Sequence, residues 1–130
     1  MSDVENPGHA LGRWGEGRAA RFLERRGWTI LARNYRFGRR EVDLVALRDG
    51  LLAFVEVKTR AGTGFGSPQD SITLLKRREI EAVAAQFVDR HGLHGLTVRF
   101  DAMAILVRRR AGGSDVVMEH LEDAWRPGWP

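Results

Sequence analysis

The sequence predicts an α/β fold, a mixed β-sheet flanked by α-helices, with elements in the order αβββαββ. Three observations carry this reading. Two stretches place apolar residues at helical spacing, five others read as strands, and Asp49-Gly50 is a strong two-residue hairpin signal between two of those strands.

The first helix spans about 9–26, where Leu11, Gly15, Ala19, Phe22 and Leu23 recur at helical spacing and Gly27 stops it. A strand follows over 28–37, and Gly38-Arg39-Arg40 turns into a second strand, 41–48. After the Asp49-Gly50 turn the third strand covers 51–59. A polar, glycine-rich loop runs from 60 to about 70, with Gly62, Gly64, Gly66 and Pro68. The second helix occupies 71–90, with Ile80, Val83, Ala84 and Phe87 facing inward, and the run from His91 to Gly95 breaks it. Strands over 97–107 and 115–121 flank a turn that begins at Arg108.

With 130 residues and 14.6 kDa, the chain fits one domain, 11–124. A disordered amino-terminal tail (1–10) is expected before it, and an irregular tail (125–130) after it because of Pro127 and Pro130. Cysteine is absent, which removes disulfides, cysteine-ligated zinc, iron–sulfur clusters and thiol nucleophiles together. No apolar run approaches the ~20 residues that cross a bilayer. The acidic opening from Met1 to Gly8 lacks the apolar core of a secretion signal, so a cytoplasmic protein is expected.

Net charge is +4, but its distribution says more. From Gly12 to Arg40 nine arginines face only Glu16 and Glu24, the pattern either of a surface that meets a polyanion or of a solvated, arginine-rich helix face. Arg13, Arg18, Arg21, Arg25, Arg26, Arg39 and Arg40 are the candidate phosphate contacts, and Arg60 and Lys76 join them. The chain has 19 arginines and only two lysines, Lys58 and Lys76. Those two positions are the candidates for a role that needs a compact ammonium with an adjustable pKa.

The chemistry lies on the hairpin. A two-residue turn pairs Arg48 with Leu51, which puts Asp43 opposite Glu56 and Glu41 opposite Lys58. Strand alternation brings these four side chains out on one face, while Val42, Leu44, Val55 and Val57 go to the other. Two carboxylates face to face repel unless something neutralises them, and a divalent cation with hard oxygen ligands does so. A lysine two residues along can then meet a nucleophilic water or a phosphate oxygen. This is the constellation of a metal-dependent phosphodiesterase. The plain alternative is an exposed strand face with charges paired across the hairpin.

Glu41-Val42-Asp43 followed by Val55-Glu56-Val57-Lys58 resembles the PD-(D/E)xK motif of the restriction-endonuclease-like superfamily, with Val42 standing where that name has proline. The wider string is similar to the YraN family of small bacterial endonuclease-like proteins. The matching parts are Gly15-Glu16, Ala19-Ala20, Leu23, Asn34-Tyr35-Arg36, 41–44, 54–58, Phe65-Gly66, Lys76 and Arg99-Phe100-Asp101. Archaeal Holliday-junction resolvases are similar in size and arrangement.

The resemblance implies a restriction-endonuclease-like core and an endonuclease acting on DNA, with branched or damaged DNA among the candidates. It implies that Asp43 and Glu56 bind Mg²⁺ or Mn²⁺ with the Val57 carbonyl, and that Lys58 orients or activates water. Glu16 would reach the same site from the first helix. Nucleic acid, DNA first, is the expected partner; RNA and a homodimer stay open. The reading from another class is a non-catalytic nucleic-acid-binding or adaptor protein that retains the fold. Asp101 is expected to be a structural partner for an arginine.

Overall fold

A computed structural model describes residues 7–62 and 71–128. Helix α1 (Pro7–Arg25) precedes strands β1 (Thr29–Phe37), β2 (Arg40–Arg48) and β3 (Leu51–Ala61). Helix α2 (Leu74–His91) then leads to β4 (Thr97–Arg110) and β5 (Gly113–Trp125). The five strands form one sheet in chain order. Only β3 and β4 run parallel, joined by the α2 crossover, and the other neighbours are antiparallel. The mixed sheet and the αβββαββ order are those read from the sequence.

The two helices cover opposite faces. Ala19, Ala20 and Leu23 of α1 pack with Leu44, Ala46, Ala53, Val55, Val57, Met103 and Ile105. Ile80, Val83, Ala84 and Phe87 of α2 pack with Val42, Val45, Leu52, Phe54, Phe100 and Trp125. The middle strands are therefore apolar on both sides, which is why their sequences read as near-continuous hydrophobic runs. Asp49 and Gly50 both have positive φ, 49° and 77°, as a tight turn matched to strand twist requires. The register that follows is Arg48–Leu51 through Leu44–Val55, as the turn dictates.

Several boundaries differ from expectation. Helix α1 begins at Pro7, so residues 7–10 are helical rather than tail; proline's fixed φ and missing N–H suit a first helical position. Helix α2 starts at Leu74, because Thr73 caps it by accepting the Lys76 N–H at 3.1 Å. The turn expected over 108–113 shrinks to two residues, since Arg110 pairs with Gly113 and the arginines extend β4. At the other end, Trp125 belongs to β5 and not to a tail. Its ring stacks on Phe100 at 5.3 Å and its Nε1–H donates to Glu81 at 3.0 Å. Residues 1–6, most of the glycine-rich loop (63–70, with Phe65-Gly66) and 129–130 lie outside the described residues.

Candidate active site

The β2–β3 ladder stops at Leu44–Val55, and beyond it the Asp43 carboxylate accepts the Val57 N–H at 2.7 Å. Side-chain alternation breaks at the same place. Val42, expected beside Leu44, Val55 and Val57, packs instead with Val45 under α2, while the other three stay under α1. The irregularity coincides with Asn34 on β1, which lies between the pairs Arg33–Leu44 and Tyr35–Val42 in a left-handed conformation.

Asp43 and Glu56 are 9% and 4% exposed and interact directly with one another. Burial, the Glu56 charge and a hydrogen bond to Glu56 push Asp43 up to about 8, against the Val57 N–H and Lys76. Burial also raises Glu56, although its hydrogen bond with Asp43 and the charges of Lys76 and Lys58 hold it down. Burial and mutual repulsion therefore favour one proton shared by the pair. Glu56 Oε1 is buried with no hydrogen-bond partner among the described residues.

Both lysines of the chain reach the other Glu56 oxygen, Oε2, Lys58 from 3.8 Å and Lys76 from 3.9 Å. Lys76 comes from the first turn of α2 and also donates to the Glu41 carbonyl at 3.0 Å. Glu41 itself does not face Lys58: its carboxylate pairs with Arg36 at 2.9 Å, because the ladder that would have aligned it with Lys58 has ended.

Glu16 arrives from the opposite helix. A side chain at Gly15 would run into the Thr59 hydroxyl and come within 2.9 Å of Thr59 Cβ, so glycine lets α1 press directly onto β3. The next residue, Glu16, accepts from Asn34 Nδ2 at 2.8 Å and interacts with Asp43. Burial and the charges of Asp43 and Glu41 raise its pKa, against the Asn34 hydrogen bond. Asn34 is the site residue to which sequence reasoning gave no role. Its signal was an asparagine interrupting a strand, a residue type that tolerates positive φ. Among the described residues no group of three or more His, Cys, Asp or Glu side chains forms a ready-made metal cage.

Asp101 is structural, as expected. Arg99 grips it with two bonds of 2.8 Å, and His120 and the Asp123 N–H complete the set. Burial acts to raise its pKa, but these hydrogen bonds outweigh that and lower it.

The candidate phosphate contacts Arg13, Arg18, Arg21, Arg25, Arg26, Arg39, Arg40 and Arg60 are all exposed, whereas Lys76 is half-buried in the site. Arg18, Arg21, Arg25 and Arg26 line a cleft of about 80 Å³ with Phe22 and Met118. Arg26 lies 3.5 Å over the Phe22 ring and Arg18 5.4 Å over Trp14. No helix among the described residues is long and apolar enough to cross a membrane.

The chain is 43% identical over 116 residues to a UPF0102 protein of Rhodococcus jostii, an alignment that covers 89% of this chain and 96% of that one. It is 47% identical over 112 residues to one from Roseiflexus castenholzii, with 85% and 89% covered. A third, from Syntrophotalea carbinolica, is 43% identical over 121 residues, 92% and 95% of the two chains. The model of that family matches residues 15–105, from the glycine that seats α1 to the middle of β4. The chain therefore belongs to the uncharacterised protein family UPF0102.

Proposed function

We propose that this protein is a metal-dependent nuclease that hydrolyses phosphodiester bonds in DNA, built on a restriction-endonuclease-like core. One observation carries the reading: two buried carboxylates, Asp43 and Glu56, lie together, with one Glu56 oxygen unpartnered among the described residues and two lysines converging on the other. A buried acid pair is costly and persists where it serves a site.

The donor set suits a hard cation. Mg²⁺ is commonly held by one or two carboxylates, with water and substrate phosphate completing its shell, so a full protein cage is not needed. Asp43, Glu56 and the Val57 carbonyl would hold it, and when bound it supplies Lewis-acid activation of water and neutralises phosphate charge. Lys58, with its ammonium beside Glu56, positions the attacking water or a phosphate oxygen. Lys76 is anchored on the Glu41 carbonyl and offsets the Glu56 charge from the helix side. Glu16, kept in place by Asn34, is available as a further water ligand. The α1 arginines contribute sequence-independent backbone affinity.

Plasmid, junction and single-stranded DNA incubated with Mg²⁺ or Mn²⁺ test the reading. Cleavage by the wild type and none by Glu56→Gln or Lys58→Ala is the expected result. Absence of cleavage on all three substrates favours the adaptor reading. One observation speaks for that alternative: the ammonium groups of Lys58 and Lys76 both lie within 4 Å of Glu56 and offset its charge themselves.

A further inference from the structure

Strand β4 outruns its parallel neighbour. Among the described residues its last partner on β3 is Val107, opposite Ala61, and Arg108, Arg109 and Arg110 pair there with β5 alone. The β4–β5 hairpin therefore projects past β3 carrying three consecutive, exposed arginines. Arg110 is held by Asp115 at 2.7 Å, but Arg108 and Arg109 have no ion pair among the described residues. These two line a cleft of about 350 Å³ with Ala61 and Gly62.

The register places this hairpin relative to the carboxylates. Leu52 and Phe54 of β3 and Phe100 and Ala102 of β4 all face α2, so alternation puts Glu56, Lys58, Arg60 and Arg108 on that face too. Lys58 is level with Ala104 and Arg60 with Leu106, so Arg108 stands one step further along. Each step of two residues is about 6.6 Å. The result is a row of cations, Lys58, Arg60 and Arg108, that starts at Glu56 and leads off the sheet. Arg109 projects from the opposite face of the same hairpin.

A small anion is held by cations that converge on one point. Cations spaced along a line suit a chain of negative charges. Building on the nuclease reading above, we propose that the hairpin tip is a second backbone-binding element, with Arg108 continuing the row and Arg109 reaching the same strand from the other side of the cleft that both line. In this arrangement the phosphates of a DNA strand that enters the carboxylate site run on past Arg60 to the tip of the β4–β5 hairpin.

The test is binding of a fluorescent DNA duplex, followed by anisotropy in chelator across a salt series, with no cleavage to confuse it. Arg108→Ser with Arg109→Ser should weaken binding about tenfold or more near 0.1 M salt and lower the log–log salt slope by about two. Arg108→Lys with Arg109→Lys should restore most of that slope. The control pair Arg90→Ser with Arg126→Ser removes the same charge elsewhere and should leave the slope near wild type. Thermal melts check that every variant folds. A double serine variant that matches wild type, or a control pair that loses as much, overturns the hairpin assignment while the nuclease reading stands. A wild type without salt-dependent DNA binding overturns both. Arginine-dependent binding to anionic lipid vesicles in place of DNA overturns the hairpin assignment as well.

Discussion

The Asp43 carboxylate takes the N–H of Val57 at 2.7 Å, at the point where backbone pairing between β2 and β3 gives way. A side chain thus stands in for a ladder carbonyl, and the substitution holds Asp43 beside Glu56. Proximity and burial make that pair unfavourable when both groups are charged, and this gives the first prediction.

Asp43 titrates near 8 in the fold and near 3.8 when unfolded, so between those values the folded state binds the extra proton. Stability is then lost as pH rises through that window, the reverse of an ordinary salt-bridged acid. Asn at position 43 copies the protonated form: its carbonyl accepts from Val57 and its amide donates to Glu56. Asp43→Asn should raise Tm by a few degrees at pH 8.5, a gain on the order of 1 kcal/mol or more, and by little below the unfolded value of 3.8, where both states hold the proton. The same variant should cleave nothing. Calorimetry across pH beside a cleavage assay checks both, and a lower Tm at pH 8.5 would contradict the shared proton.

Lys58→Arg separates charge from position. Arginine keeps the charge, but its planar guanidinium is broader and does not give up a proton. Folding and DNA affinity should stay near normal while single-turnover cleavage with saturating Mn²⁺ falls by roughly a hundredfold or more. Near wild-type cleavage would remove Lys58 from any role in handling the water.

Gly15→Ala tests how α1 is seated. A methyl group there meets Thr59, so the helix must lift off β3 or the threonine must turn, at a cost of about 1–3 kcal/mol. Lifting would also displace Glu16. Adding Thr59→Gly should recover much of the loss beyond what the separate changes predict, a coupling that a double-mutant cycle in denaturant reads directly.

Trp125→Ala removes a ring buried between Phe100 and the α2 cluster and leaves Glu81 without its indole donor. A loss of about 3–5 kcal/mol is expected in equilibrium unfolding. A change under 1 kcal/mol would mean that the last turn of β5 contributes little.

What the sequence disclosed, and what it hid, follows from range. Turn chemistry and alternation are local, so Asp49-Gly50 was enough to pair Leu44 with Val55 and to put Asp43 and Glu56 on the same side. Local rules fail where the ladder parts, which is why Val42 was assigned to the wrong cluster and Glu41 to the wrong partner. Asn34 was invisible as a site residue because its role depends on α1 delivering Glu16 across the sheet. Lys76 stood out through residue choice, since a chain otherwise supplied with arginine kept lysine there. Trp125 was misjudged because two prolines after it suggested an irregular tail, whereas its indole had both a stacking surface and a hydrogen-bond acceptor.

The convergence of Lys58 and Lys76 has a practical consequence. Every ε-amine in the chain lies within 4 Å of one glutamate oxygen. A reagent that acylates amines will find side-chain targets nowhere else, leaving the 19 arginines untouched. Labelling followed by mass spectrometry therefore reads occupancy of this one place, and shielding of both lysines reports whatever a binding molecule covers there.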